Sequence, residues 1–442
     1  MRCGFSLFFK RMMMKEFYML RYLLLVAITF VLALSVSAAE TTEKSFGKPE
    51  MKLTETTEKE GKTILRYEHE SVPEWGYENP QSDYFFVLPP EGQAKGRPLQ
   101  VVLHSAGHSG EAVLKQSFQK PDWFHNVGLK DQYVLYLDCR KNAKDWWWGA
   151  ERNDLKEKYK DTYTPVEKRI LTTIEWVIEK YKIDRNRVYL SGVSMGGSGS
   201  LGIGLCRGDI FASVNVTVAA GVDHVKARFF DRTVPDPPVL INFTSIGDKH
   251  SKGQEELLAE CRKKRYHLVF AFGPNGHHGS VAKYHPAATT FPWRSIRKDE
   301  AYAVFTNAST DDKYPGFISP KEGEPKGWKF QKLIEDDYDQ GQIGALFRWK
   351  ILKDTAQAFQ IELRMVTKEE VGAKEEMPTS ATAEVSLRRL QNFKLGSKGG
   401  SWKLASGGKT LASGKAKLDA NGLLTLGKLP LSTEPAVLSI SQ

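Results

Sequence analysis

A serine hydroxyl is a poor nucleophile until a neighbouring base takes its proton, and that base is best held in place by a carboxylate. One serine in this chain is placed for such activation. Residues 187–190 read as a short strand, and Gly192, Val193, Ser194, Met195 and Gly196 follow almost at once. Gly-x-Ser-x-Gly between a strand and a helix marks a sharp turn that lifts a serine above the edge of a sheet. Glycine suits both flanks, because a Cβ there would meet neighbouring backbone. Gly197, Ser198 and Gly199 carry the small-residue run into the next helix. Ser194 is the candidate nucleophile. The competing reading is a Gly-rich turn in an ordinary α/β protein.

The acid and base can be sought after later strands. Residues 239–244 are an apolar strand, and Ser245, Ile246, Gly247 and Asp248 follow it. Residues 268–272 are the next, followed by Gly273, Pro274, Asn275, Gly276, His277 and His278. If these strands are parallel, both loops leave the same sheet edge as Ser194. Asp248 is then the candidate acid and His277 the candidate base. Asp223, after the strand at 211–219, and His278 stay open as alternatives. A tetrahedral oxyanion needs two backbone N–H donors. Met195 offers one at a helix N-terminus, where the helix dipole helps. Ala106 offers the other, in the small-residue loop His104 to Gly110 after the strand at 99–104. Such a loop also suits a plain tight turn. Trp146, Trp147 and Trp148 follow the strand at 133–138. Trp147 and Trp148 are candidate substrate platforms, with core packing as the alternative.

The rest of the chain must position these groups. Its 442 residues are 41% hydrophobic and 26% charged, which fits a globular protein of two domains. Arg2, Lys10, Arg11, Lys15 and Arg21 precede an apolar run at 22–36 and the small residues Ser37, Ala38 and Ala39. Residues 1–39 therefore read as a secretory signal peptide, and the expected location is secreted or periplasmic. Removing them takes away five basic residues and one acidic one, leaving 58 Lys and Arg against 52 Asp and Glu. That mild, dispersed charge argues against nucleic acid as a partner. No membrane association is expected after cleavage. Cys139, Cys206 and Cys261 remain without metal-ligand spacing, so buried thiols are expected.

Residues 40–83 read as a flexible lead plus an edge strand. Over 84–295 apolar strands alternate with helices, which predicts a mostly parallel sheet with helices on both faces. At 164–167 Thr, Pro, Val and Glu make a helix start with a capping box. Residues 296–344 read as linker and long loops. Residues 345–442 show short strands separated by Gly-rich turns, predicting a C-terminal β sandwich. That module is expected to add binding or stability but no catalytic group. A chain ending near Lys313 is then expected to keep the activity.

Residues 84–290, about half the chain, resemble the secreted α/β-hydrolase esterases that include feruloyl esterases, acetyl xylan esterases and polyhydroxybutyrate depolymerases. The resemblance rests on the loop from His104 to Gly107, on Gly192 to Gly196, on Gly247 with Asp248, and on Gly276 with His277. It departs at Ser105 and Ala106, where the family often has Gly-Gly or Gly-x. It implies a serine esterase acting on a small or polysaccharide-linked ester, plant or algal, with no cofactor and no metal. A peptidase with the same triad, or a non-catalytic carbohydrate-binding protein on this fold, remain open.

Overall fold

The computed structural model describes residues 46–119, 130–139, 146–147, 162–222, 225–230, 234, 236–245, 248, 250, 253–273, 277, 286–309, 344–374 and 377–442. The expected signal peptide, Trp148, Asp223 and His278 lie outside the described residues.

Nine strands form the central sheet: β1 (Lys52–Lys59), β2 (Lys62–Glu70), β3 (Ser82–Leu88), β4 (Leu99–Leu103), β5 (Tyr133–Leu137), β6 (Val188–Val193), β7 (Ser213–Thr217), β8 (Val239–Ser245) and β9 (Leu268–Gly273). Their spatial order is β1-β2-β3-β5-β4-β6-β7-β8-β9. The first three strands are antiparallel, and every pairing from β5 to β9 is parallel. This is the α/β-hydrolase arrangement expected from the sequence. The loops after β4, β6, β8 and β9 therefore all leave one edge.

Part of the expected flexible lead is instead β1. Its sequence, KLTETTEK, has no apolar face, and all its residues are exposed. It is held by pairing to β2 through a turn at Glu60 and Gly61, both at positive φ (51° and 72°). Hydrophobic alternation could not reveal a strand that buries nothing.

Helices α1 (Gly110–Gln119), α2 (Pro165–Tyr181), α3 (Met195–Gly204) and α4 (Gln254–Lys263) cover the sheet. The expected capping box opens α2: Glu167 N–H donates to Thr164 Oγ1 at 3.2 Å and Thr164 N–H to Glu167 Oε2 at 3.0 Å. One sheet face, with Val101, Leu103, Leu190 and Val216, packs on Ile170 and Ile174 of α2, Leu201 of α3 and Leu257 of α4. On the other face α1 covers only the β3–β5–β4 end, through Val113, Leu114 and Phe118.

The remaining half of that second face is covered by residues 286–296, where Ser213 Oγ donates to Trp293 O and Tyr189 Oη to Ile296 O, and by the C-terminal β module. It comprises β10 (Tyr302–Ser309), β11 (Phe347–Asp354), β12 (Ala358–Met365), β13 (Ser380–Arg388), β14 (Gly400–Ser406), β15 (Lys409–Ala416), β16 (Leu424–Ser432) and β17 (Ala436–Ser441). These strands build antiparallel sheets in the orders β10-β13-β16 and β11-β12-β17-β14-β15. Their apolar faces share one core with Val239, Ile241, Phe243 and Val269 of the central sheet. Arg265 sits at the junction, with Nη1 2.8 Å from Glu384 and Nε 3.0 Å from Asp419. Arg388 donates back to the carbonyls of Arg265 and Lys264 at 2.8 and 2.7 Å. The expected linker at 296–344 is thus corrected over 302–309, where β10 pairs with β13. The Pro- and Gly-rich stretch just beyond it hid this strand in the sequence.

His267, on the first residues leading into β9, is 1% exposed. Its ring lies among Phe291, Tyr302 and Trp349, and neither ring nitrogen has a hydrogen-bond partner among the described residues. Burial pushes its pKa down to about 3. Cys139 and Cys261 are buried free thiols, and burial raises the pKa of both.

Two outcomes follow from this packing. Removing everything after residue 313 takes away most of the apolar residues that share a core with Val239, Ile241, Phe243 and Val269, each worth about 1.5–3 kcal/mol when buried. A domain's whole stability is about 5–15 kcal/mol. The truncated chain should therefore be insoluble or molten by near-UV circular dichroism, and a folded, active truncation would contradict this. Secondly, His267 gains a proton below about pH 6.5 when unfolded but stays neutral to about pH 3 when folded. Falling pH across that window therefore favours unfolding. His267→Phe should flatten the decline of melting temperature between pH 6.5 and 4; a decline parallel to the parent's would contradict this.

Candidate active site

The site begins with a backbone constraint at the end of β6. A Cβ on Gly192 would lie 2.2 Å from the Gly196 carbonyl oxygen, and one on Gly196 would lie 2.0 Å from the Leu103 oxygen. Both approaches are closed to any other residue. They force Ser194 into φ 57°, ψ −118°, a strained conformation for a residue with a side chain. The backbone is pinned there. Ser194 N–H donates to Thr217 O at 3.0 Å, and its own carbonyl accepts from Ser198 N–H at 2.9 Å and Ala220 N–H at 3.0 Å. Although Ser194 occupies the N-cap position of α3, its hydroxyl caps nothing.

That hydroxyl instead lies 2.7 Å from His277 Nε2, and His277 Nδ1 lies 2.7 Å from Asp248 Oδ2. An ionised carboxylate only accepts, so Nδ1 carries the imidazole proton. Nε2 is then left with its lone pair toward Ser194 Oγ–H. Asp248 is buried, and its second oxygen accepts the His250 N–H at 2.8 Å. His277 keeps 31% of its side chain exposed. The three residues come from three loops on the same sheet edge. The structure brings the sequence candidates Ser194, Asp248 and His277 together.

His250 was not singled out by the sequence. Its ring packs edge-on against His277 with centroids 5.0 Å apart. A histidine two residues beyond an acid in a loop carries no pattern that separates it from any surface histidine.

The loop after β4 lies against the turn at Ser194. Ser105 Oγ donates to Val193 O at 2.9 Å. Among the described residues no hydrogen bond engages the N–H of Met195 or Ala106. Met195 N–H is at the N-terminus of α3, where the helix dipole favours negative charge.

Trp147 is corrected as a substrate platform. It is 0% exposed and cannot stack on a ligand. Its indole is turned inward, where its N–H donates to the His104 carbonyl at 2.8 Å. Loop position alone could not reveal this, because an aromatic in a long loop near a sheet edge suits either role. Among the described residues no group of three or more His, Cys, Asp or Glu is gathered to hold a metal ion. No described helix is long and apolar enough to cross a membrane.

No protein-family model and no curated protein matches this sequence. Solved structures similar to it include hydrolases and esterases and a putative dipeptidyl aminopeptidase IV from Bacteroides ovatus. An S-formylglutathione hydrolase from Agrobacterium tumefaciens is 13% identical, with 52% of this chain and 93% of that one covered at a TM-score of 0.40. A ferulic acid esterase from Anaeromyces mucronatus is 15% identical, covering 52% and 94% at 0.38. A fluorophosphonate-binding serine hydrolase from Staphylococcus aureus is 15% identical, covering 50% and 93% at 0.35.

The turn itself gives a test that needs no substrate. Gly192→Ala places a methyl where backbone already lies, so the strand and helix must separate. The substitution should destabilise the fold by more than about 4 kcal/mol, or prevent folding. A chemical-denaturation midpoint within error of the parent's would contradict the geometry.

Proposed function

We propose that this chain is a serine ester hydrolase, exported from the cell, that works through an acyl-enzyme. The observation that carries the reading is the position of His277, 2.7 Å from both Ser194 Oγ and Asp248 Oδ2. In the first step Ser194 Oγ attacks the ester carbonyl carbon while its proton passes to His277 Nε2. The carbonyl oxygen becomes an oxyanion facing the N–H groups of Met195 and Ala106. Asp248 stabilises the imidazolium that forms. Collapse breaks the ester C–O bond, and His277 returns the proton to the departing alkoxide. Water then loses a proton to His277 and attacks the acyl carbon. Ser194 Oγ leaves with that proton, the acid departs and the resting state is restored.

Export is supported by the basic and apolar N-terminal sequence. An ester carried on a plant or algal polysaccharide is the finer part of the proposal, and it rests on the sequence resemblance of residues 84–290. Comparing acid released from acetylated and feruloylated xylan with hydrolysis of free aryl esters tests that part.

The central reading is tested by substitution. Ser194→Ala and His277→Ala should each cut kcat on p-nitrophenyl acetate by at least about 10³-fold, with the fold unchanged by circular dichroism. Asp248→Asn should cost a comparable factor, because the imidazolium loses its counter-charge. His278→Ala and Asp223→Asn should leave kcat within a few-fold of the parent's. Severe loss in either of these, with His277→Ala or Asp248→Asn still active, would move the base or acid to the alternative residue.

A further inference from the structure

We propose that Trp147 is a positioning residue that sets the spacing between the two halves of the oxyanion site. The inference rests on the esterase reading above. Trp147 touches both elements that carry the N–H donors. On one side it meets α3, whose first residue is Met195. A Cβ added to Gly199, one turn along that helix, would lie 2.5 Å from the Trp147 Cβ. On the other side it meets the start of the loop that carries Ala106. The indole N–H donates to His104 O at 2.8 Å, and the indole ring packs edge-on against the His104 ring at 4.7 Å.

His104 passes this restraint on. The Cys139 N–H donates to His104 Nε2 at 3.1 Å, so Nε2 is the acceptor and Nδ1 carries the proton. Nδ1 then donates to Ser105 O at 2.9 Å. Burial keeps this ring neutral by lowering its pKa, consistent with that tautomer. With the His104 carbonyl fixed by Trp147, Ser105 O fixed by His104, and Ser105 Oγ fixed on Val193, the peptide planes leading to Ala106 have little freedom left.

The backbone at Trp146 and Trp147 has φ of 39° and 61°, a region bulky residues rarely adopt. The chain holds this strained conformation where the indole fits between α3 and His104. Filling a core does not by itself require an N–H aimed at the one carbonyl that begins the loop.

The test is Trp147→Phe, which keeps an aromatic ring and removes the N–H. The substrate is p-nitrophenyl acetate and the transition-state probe is phenylboronic acid, whose tetrahedral adduct on Ser194 uses the same donors. A displaced donor should lower kcat by about 10- to 100-fold. KM should stay within about twofold, and the boronate inhibition constant should rise by the same factor as kcat falls. Gly199→Ala, which pushes on the indole from the helix side, should give the same signature and decides the matter if Trp147→Phe does not fold. A folded variant of either kind with parental kcat, or with its loss confined to KM, overturns the inference. Ser194→Ala run in parallel separates the two levels. If it stays active the esterase reading fails, whereas an inactive Ser194→Ala beside a fully active Trp147→Phe removes only the role of Trp147.

Discussion

Everything at the candidate site depends on how closely β6, α3 and the end of β4 approach one another. The space between the Gly196 backbone and the Leu103 carbonyl admits no side chain. That contact holds Ser194 in a conformation it would not adopt alone and directs its hydroxyl out of the helix cap toward His277. The same contact brings the loop carrying Ala106 alongside the first turn of α3. One steric constraint therefore places both the candidate nucleophile and the proposed oxyanion donors. The strain must be offset elsewhere, and the almost wholly buried strands and helices around the turn are where that stability comes from.

The C-terminal β module is part of that support. In an α/β layer both faces of the sheet must be covered. Here the helices cover one face and half of the other, residues 293–296 lie against β6 and β7, and the antiparallel sheets share the core beneath β8 and β9. Asp248 and His277 sit on loops that follow β8 and β9, the two strands whose outer face lies under the module. The module need supply no catalytic group to matter for the site, because the strands that aim the candidate acid and base are buried against it.

The sequence made the chemistry more legible than the architecture. Ser194, Asp248 and His277 could be named because each follows an apolar strand, and a parallel sheet sends such loops to one edge. The capping box at Thr164 was legible because its chemistry is local. Burial of loop residues was not: nothing in the run of tryptophans tells that Trp147 turns inward onto Gly199 and His104. Strands that bury no alternating face, such as β1, leave no periodic signal. Tyr302–Ser309 falls in the expected linker, because its partner β13 lies far along the chain, beyond a Pro-rich stretch. How the module sits on the sheet depends on contacts between residues distant in sequence, such as Arg265 with Glu384 and Asp419.

The central claim is that Ser194 is activated by His277. Labelling with a fluorophosphonate, which reacts with an activated serine, tests it most directly when the adduct is mapped by mass spectrometry. The account predicts one adduct per chain, on Ser194, lost in His277→Ala while that variant remains folded. An unlabelled parent protein, an adduct on another residue, or undiminished labelling of Ser194 in His277→Ala would contradict it.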